Sequence, residues 1–512
     1  MTGAESLLRT LLAGGVDTCF MNPGTSEMHF IAALDRVPGL RSVLCLFEGV
    51  CSGAADGYAR ATGRPAATLL HLGPGLANGL SNFHNARKAR SPVVCIVGEH
   101  ATPHLKVEAP LTSDIQAFAR TVSNHVRTAQ SADDIGPATA ETIAAAWGPP
   151  GEVATLIVPA DYSWSKTEIL GQSIAPLAVP FPCNQALDAA ARLLREPGTA
   201  ILLGGKSVNE RALKAAGRIS AATGTRIITA RNVAKIASGR AFYPAPQVPY
   251  FPEAALPFLA DIQNLILVEA ERPVSFFAYP STPSYMTSDS CRDFVLAARG
   301  EDGTAALEAL AEGLPPVVLP SIAIPKAPME DVGLTLDHIG LTLAALLPEN
   351  SLVSDEMVSS AGKILDHLKS AAGHEFMPVT GGSIGQGLPV ATGAAIGCPG
   401  RKVVALEGDG SGMYTPQSLW TMARENLNVV TVILVNRRYR ILEIEMQRTG
   451  AHGFGEKAES MLDIGNPDLN WTGIARSLSV SATCATTARQ FSSHFRDAIR
   501  QTGPSLIEAL LE

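Results

Sequence analysis

Two oxygen donors far apart in the chain offer the first chemistry. Asp409 stands in Gly408-Asp409-Gly410, directly after the apolar run KVVALE, and Asn436 follows a second apolar run, NVVTVILV, with 25 residues between Gly410 and Asn436. By itself Gly-Asp-Gly is a turn, because Gly and Asp are common turn residues. If both runs are strands of one parallel sheet, Asp409 and Asn436 reach the same carboxyl edge, where open α/β sheets bind ligands. A carboxylate and an amide oxygen are hard donors suited to Mg2+, which normally completes its octahedron with phosphate oxygens and water. A diphosphate is therefore the expected companion. Gly408 and Gly410 would let backbone N–H groups approach it, and Ser411 would begin the helix whose N-terminus faces it.

Glu48 stands where the strand-like run SVLCLF meets the helical GVCSGAADGYAR. A glutamate in a first helical turn is a favourable partner of the helix dipole. His71 ends the strand-like ATLLH before the glycine loop LGPGLANG, and an imidazole titrating near neutrality can deliver or remove a proton. NPGTSE, Asn22 to Glu27, reads as an Asn-Pro-Gly turn with Ser26 as a helix cap. Gly204-Gly205-Lys206 after AILL superficially resembles a phosphate-binding loop, but the GxxxxGK[ST] spacing is missing, so a plain strand-helix turn is expected.

These residues need a scaffold of alternating strands and helices, and the chain supplies one. The helix-period SLLRTLLAGG opens the chain, and VDTCFMNPG, SVLCLF, ATLLHLGPG, PVVCIVG and VATLIVP then alternate with further helix-period segments, the rhythm of a parallel α/β sheet. The period is lost from Ser165 to Pro182, expected to be a linker, and resumes with AILLGG, TRIITA and NLILVEA. A second linker is expected at VVLPSIAIPKAP, Val317 to Pro328, before a third unit containing SLVSDEMV, KVVALEGDGSG, NVVTVILVN and PSLIEALLE. At 512 residues, three α/β units are expected over 1–165, 183–316 and 335–512.

A net charge of −8 with no block of Lys and Arg argues against nucleic acid or an anionic membrane as the main partner. The uncharged run Phe376 to Gly400 is broken by glycines and prolines and reads as turns and a short helix, not a membrane span. Eight cysteines without a CxxC pair spell out neither a zinc site nor a disulfide framework. The first residues, MTGAESLLRTLLAGG, lack the basic start of a secretory signal, so the expected location is the reducing cytoplasm.

GDG followed after 25 residues by Asn resembles the signature of thiamine-diphosphate enzymes, and the resemblance to the benzoylformate decarboxylase and acetolactate synthase group covers nearly the whole chain. It implies three doubly wound parallel-sheet α/β domains: pyrimidine-binding (1–165), central (183–316) and diphosphate-binding (335–512). It implies thiamine diphosphate and Mg2+ as cofactors, with Asp409, Asn436 and the backbone carbonyl of Arg438 as metal ligands, although Arg437-Arg438 departs from the family's usual Asn or Gly. Glu48 with AADGYAR after it resembles the glutamate that hydrogen-bonds N1′ of the aminopyrimidine and favours its imino tautomer. GGSIGQGLP, Gly381 to Pro389, resembles the segment whose bulky aliphatic residue, here Ile384, bends the cofactor. NPGTSE resembles the loop along the substrate carboxylate, with Thr25 as hydroxyl donor, and His71 matches an active-site histidine of the benzoylformate decarboxylase type. Ala278 falls where that decarboxylase type has a second histidine. In EAPLTSDIQAF, Gln116 or Asp114 would take the place of a synthase glutamine, with Thr112 facing the pocket.

The implied reaction is non-oxidative decarboxylation of a small-molecule 2-oxoacid through an enamine, with carboligation to an acceptor carbonyl as its other outcome. The alternatives are an acetolactate-synthase-like transferase, with or without FAD, and a cofactor-binding homologue that has lost catalysis. The resemblance further implies self-association as a homodimer or homotetramer, with sites between chains.

Overall fold

The computed structural model describes residues 1–512 apart from Pro320 and 452–454, so part of the expected linker 317–328 lies outside the described residues. Strands β1 (Thr18–Asn22), β2 (Arg41–Leu44), β3 (Ala66–Leu70), β4 (Val93–Glu99), β5 (His125–Thr128) and β6 (Val153–Pro159) form a six-stranded sheet in the order β2-β1-β3-β4-β6-β5. Every pairing in it is parallel. Then come β7 (Thr199–Leu203), β8 (Arg226–Thr229), β9 (Ile236–Ser238), β10 (Asn264–Val268) and β11 (Arg292–Ala297), four of which make the sheet β11-β10-β7-β8. The last strands are β12 (Ser351–Glu356), β13 (His374–Met377), β14 (Val403–Gly408), β15 (Val429–Val435), β16 (Ser481–Ala485) and β17 (Ser505–Leu510). With β9 they form a seven-stranded sheet ordered β16-β17-β15-β14-β12-β13-β9.

β9 departs from the expected all-parallel pattern. It comes from the segment between the two expected linkers, runs antiparallel to β13, and covers what would otherwise be an open sheet edge. The segment 167–183 contains no helix or strand, and it is fastened to the first unit where Ser6 donates to the Ile169 carbonyl and the Gly171 N–H to Thr10. All eight cysteines are free. Among the described residues no helix is long and apolar enough to cross a membrane.

Strand residues alternate between faces. Cys19, Met21, Leu69, Val94 and Ile96 pack with helices Gly3–Ala13 and Ala132–Trp147. Phe20, Leu70, Cys95 and Val97 pack on the opposite face with helices Glu48–Thr62 and Leu72–Ala89. That second cluster continues into the third sheet through Val403, Ala405, Val429 and Ile433, while Val404, Leu406, Val430 and Val432 face the third sheet's other layer. The first and last sheets thus share one apolar core and are covered on both faces.

At the centre of this core helix Glu48–Thr62 packs on helix Gly387–Gly397. A Cβ on Gly53 would lie 2.5 Å from that of Pro389, and side chains on Gly57 or Gly393 would collide with the backbone of Val390 or Ala54. Glycine is required wherever two backbones approach so closely. The same contact buries a charge. Arg60 and Asp56, both with fully buried side chains, form an ion pair. The guanidinium also donates to the Pro378 carbonyl at 2.8 Å, Thr380 Oγ1 at 2.9 Å and Gln386 Oε1 at 3.2 Å, while Ser91 donates to Asp56.

Removing one partner of a buried pair strands the other, at a cost of about 3–5 kcal/mol. Arg60→Leu is accordingly expected to lower the first unfolding transition in urea by that amount, and a change below about 1 kcal/mol, the scale of an exposed pair, would show that the pair carries no structural burden.

Candidate active site

The register of β14 with β15, Gly408 opposite Leu434, brings Asp409 and Asn436 to neighbouring strand ends at one carboxyl edge. Asp409 starts the short helix Asp409–Gly412, with Gly408 at the N-cap. Its Oδ1 accepts the Gly410 N–H at 3.0 Å and its Oδ2 the Arg437 N–H at 2.7 Å, while Asn436 Oδ1 accepts the Arg438 N–H at 2.9 Å. Burial raises the Asp409 carboxyl against the lowering effect of these N–H donors. Asn436 and Arg438 line a cavity of about 400 Å³ together with Thr335, Ser359, Ser360 and Lys363.

One expectation at this turn changes, the start of the helix. Gly410 and Gly412 leave room for rings of the protein itself, since a Cβ would come within 2.6 Å of Tyr439 and 2.8 Å of Trp471 respectively. Ser411 does not open a helix toward the cavity. The helix begins at Asp409, and the Ser411 hydroxyl turns back into the sheet, donating to Glu407 Oε1. Glu407 on β14 and Glu356 on β12 are register partners with fully buried carboxyls. Burial pushes Glu356 up to about 7, and burial together with Glu356 raises Glu407 well above the usual carboxyl range.

Glu356 anchors the Ile384 loop by accepting the Gly385 and Gly387 N–H groups at 2.9 and 2.8 Å. From the other side Asn85 donates to the Ser383 carbonyl at 2.7 Å, and Asn82 and Thr415 both donate to the Gly385 carbonyl at 3.0 Å. The residues flanking Ile384 are pinned while Ile384 itself stays half-buried.

At the carboxyl edge of the first sheet Glu48 begins its helix, 9% exposed. Its Oε2 accepts from Asn78 at 3.0 Å. A Cβ on Gly75 would lie 3.4 Å from Glu48 Oε1 and 3.5 Å from the His71 Cβ, so Glu48 and His71 flank one glycine. His71 Nδ1 lies 2.8 Å from Glu27 Oε2, and its ring packs on Gly24, where any side chain would collide with it. Glu27 also accepts the Gly24 N–H at 2.8 Å. Thr25 is exposed beside this pair. The expected Ser26 cap is replaced: a 3-10 turn spans Thr25–Glu27, helix Met28–Leu34 follows, and Glu27 rather than Ser26 satisfies the turn's backbone.

The weaker candidates separate. Asp114 caps helix Ile115–Arg120 through the Ala117 N–H, and Gln116 is exposed and bonded to Thr128 and Arg120. The Thr112 hydroxyl is buried with no partner among the described residues. Ala278 is exposed, and it is the neighbouring Phe276 whose ring meets Gly382 of the Ile384 loop. Glu27 and the asparagines were missed by sequence reasoning. Asn78, Asn82 and Asn85 recur at i, i+4 and i+7 on helix Leu72–Ala89, a polar stripe that was a readable signal.

A carboxylate and an amide oxygen on neighbouring loops are donors of the kind Mg2+ takes. The cavity lined by Thr335, Ser359, Ser360, Lys363 and Arg438, with Glu512 also on its wall, holds donors of the kind a diphosphate takes. Residues 1–122 match the family model "Thiamine pyrophosphate enzyme, N-terminal TPP binding domain", and residues 360–509 match the corresponding C-terminal TPP binding domain. The chain is 45% identical, over 100% of its length and 99% of the relative's, to the Mycobacterium tuberculosis protein named "Putative acetolactate synthase large subunit IlvX". It is 29% identical to the benzoylformate decarboxylase of Pseudomonas aeruginosa over 96% of each chain. The thiamine diphosphate-dependent 4-hydroxybenzoylformate decarboxylase of Rhodococcus jostii RHA1 has the same fold, with a TM-score of 0.87 at 22% identity over 100% of this chain and 99% of that one.

Glu27 makes one stability prediction. Burial raises its carboxyl, so between the unfolded glutamate value of about 4.3 and the raised folded value the native state holds more protons, and stability falls as pH rises. Glu27→Gln should reduce that slope by up to one proton, read from urea midpoints across this pH range. An unaltered slope would refute the assignment.

Proposed function

The chain belongs to the thiamine pyrophosphate enzyme family, and from that premise we propose that it is a thiamine-diphosphate- and Mg2+-dependent decarboxylase of a 2-oxoacid. The fragment left after loss of CO2 is either protonated and released as an aldehyde or transferred to an acceptor carbonyl. In this reading residues 1–165 bind the aminopyrimidine, 183–316 form the central domain and 335–512 hold the diphosphate. Asp409, Asn436 and the Arg438 carbonyl take Mg2+. Gly408 to Ser411 and the Ser359–Ser360 hydroxyls border the diphosphate.

The observation that carries the reading is the β14–β15 register, which sets Asp409 and Asn436 at neighbouring strand ends. Asn82 ties the start of the Glu48 helix to the Ile384 loop of the same chain by donating to the Gly49 carbonyl at 2.8 Å and the Gly385 carbonyl at 3.0 Å. When bound, the cofactor supplies the electron sink for carbon–carbon cleavage. Glu48, with one oxygen fixed by Asn78, holds a proton at N1′ of the aminopyrimidine. Ile384 orients the cofactor, and the pinning of its neighbours keeps that orientation rigid. Glu27 fixes His71 through Nδ1, leaving Nε2 to exchange a proton with bound substrate. Thr25 offers a hydroxyl to the substrate carboxylate. The enzyme works in the cytoplasm as a homodimer or homotetramer.

The name borne by the 45% identical relative favours a second reading, an acetolactate-synthase-like union of two 2-oxoacids. CO2 release from a panel of 2-oxoacids, with and without an aldehyde acceptor, separates the two by product, and no release from any of them would overturn both.

Glu48→Gln should still bind thiamine diphosphate while deuterium exchange at the cofactor's C2 slows by about 10²-fold or more, the scale of a positioned proton donor; an unchanged exchange rate refutes the assignment of Glu48. Asp409→Ala is expected to weaken Mg2+ and thiamine diphosphate binding together by at least about tenfold in calorimetric titration. Retention of parental affinity would place the metal elsewhere.

A further inference from the structure

The Gly204-Gly205-Lys206 turn, which lacks the spacing of a phosphate-binding loop, is built like an anion site nonetheless. It follows β7 and leads to helix Glu210–Thr223, while the adjacent parallel strand β10 ends at Val268, opposite Leu203. Backbone N–H groups at such a carboxyl edge, ahead of a helix N-terminus, favour a phosphate. Here a side chain of the protein occupies the position. Glu269, the residue after β10, is 7% exposed. Its Oε2 accepts the Lys206 N–H at 3.1 Å and its Oε1 accepts the Ser207 hydroxyl at 2.5 Å. The fit leaves no room: a Cβ on Gly205 would lie 2.5 Å from Oε2, and one on Gly303 would lie 3.2 Å from Oε1.

The backbone supports the same conclusion. Glu269 has φ +50° and Gly205 has φ +49°, and a non-glycine residue stays in the left-handed region only where its surroundings over-determine it. The carboxylate satisfies donors that would be costly to bury unpaired. Burial raises its pKa, while Ser207 and the Lys206 N–H oppose that effect.

We infer that Glu269 is an internal ligand that takes the seat of a phosphate in the Gly204–Ser207 turn and thereby closes the carboxyl edge of the second sheet to phosphate-bearing cofactors, dinucleotides included. The sheet keeps a nucleotide-binding topology with its anion position filled from within. This goes beyond the proposed reaction and does not depend on turnover.

The test is calorimetric titration of the full chain, loaded with thiamine diphosphate and Mg2+ so that the cavity at Asn436 is saturated, with ADP and FAD as separate probes. Three proteins are compared: the parent, Glu269→Gly, and Glu269→Asn, whose short side chain tolerates the left-handed backbone and withdraws from the turn. The parent should bind neither probe saturably, and the variants should bind ADP at least about tenfold more tightly, the equivalent of 1.4 kcal/mol. A parent that binds ADP or FAD as tightly as the variants overturns the inference, as does a folded variant with no gain. If Glu269→Gly fails to fold, Glu269→Asn decides by the same criterion. Loss of 2-oxoacid turnover in all three would bear only on the proposed reaction.

Discussion

A buried guanidinium organises the molecule. Arg60 lies in the apolar core between the first and last sheets, and a charge can stay there only if its donors are satisfied. Asp56, one turn earlier on the same helix, takes two of them, and the Pro378 carbonyl, Thr380 and Gln386 take others. These last three acceptors belong to the segment that carries Ile384. The helix that begins with Glu48 is therefore locked to the loop that presents Ile384 by a charge with no cheaper place to go. The glycines at 53, 57 and 393 are the steric condition for this lock, since only bare backbones can come close enough for the guanidinium to reach across.

Buried acids organise the carboxyl edges in the same way. Asp409, Glu356, Glu407 and Glu27 are all raised by burial, each against N–H or hydroxyl donors that hold it in place. Asp355 is pushed up to about 6 by burial, with the Met357 N–H and Arg231 working against the shift. Most of these carboxyls are spent on loops: Glu356 on the Ile384 segment, Glu407 on Ser411, and Glu27 on the Gly24 turn and His71. Glu27 Oε1 and Glu407 Oε2 are buried without a partner among the described residues. Glu48 differs in place, standing at the carboxyl edge of the first sheet, 9% exposed, with one oxygen held by Asn78 and the other over Gly75. A carboxyl engaged on one side only retains a lone pair and a proton position for a bound partner.

The strands buried in the sheets were legible because they read as short apolar runs ending in Gly, Asp or Asn. By contrast β5, β11 and β16 are partly exposed, and β13 is short and runs into the glycine-rich stretch read as turns; none of these four was named. Asp409 and Asn436 were legible for the same reason, each marking the end of such a run. The helix at the Gly408-Asp409-Gly410 turn was placed two residues late, at Ser411 in place of Asp409, because such a turn carries no sharper signal for the helix boundary. β9 was missed because Ile236–Ser238 is short and pairs with a strand more than a hundred residues away. Glu27 lay inside a quoted motif, but its role depends on His71, which only the β1–β3 pairing brings near. Glu269 was overlooked because left-handed backbone at a glutamate has no sequence signature.

The middle segment then acquires a structural purpose. β9 closes the edge of the third sheet at β13, Phe276 packs on Gly382 beside Ile384, Tyr279 donates to Glu445 at 2.9 Å, and Arg448 pairs with Glu253 and stacks on Phe251. Glu445 and Arg448 lie on helix Arg440–Arg448, the element that follows the Asn436 loop. Four separate contacts thus descend from residues 236–279 onto the third sheet and the parts that border the candidate site. The positions of Asp409 and Asn436 are set by β14 and β15, whose residues are committed to the core. Phe276, Phe277 and Tyr250 are committed to no core cluster; Phe277 meets Phe276 edge-on at a centroid distance of 4.9 Å, and Tyr250 meets Phe276 at a tilt at 5.3 Å. Substitutions at Phe276, Phe277 or Tyr250 would therefore change the surface beside Gly382 and Ile384 without disturbing the sheets.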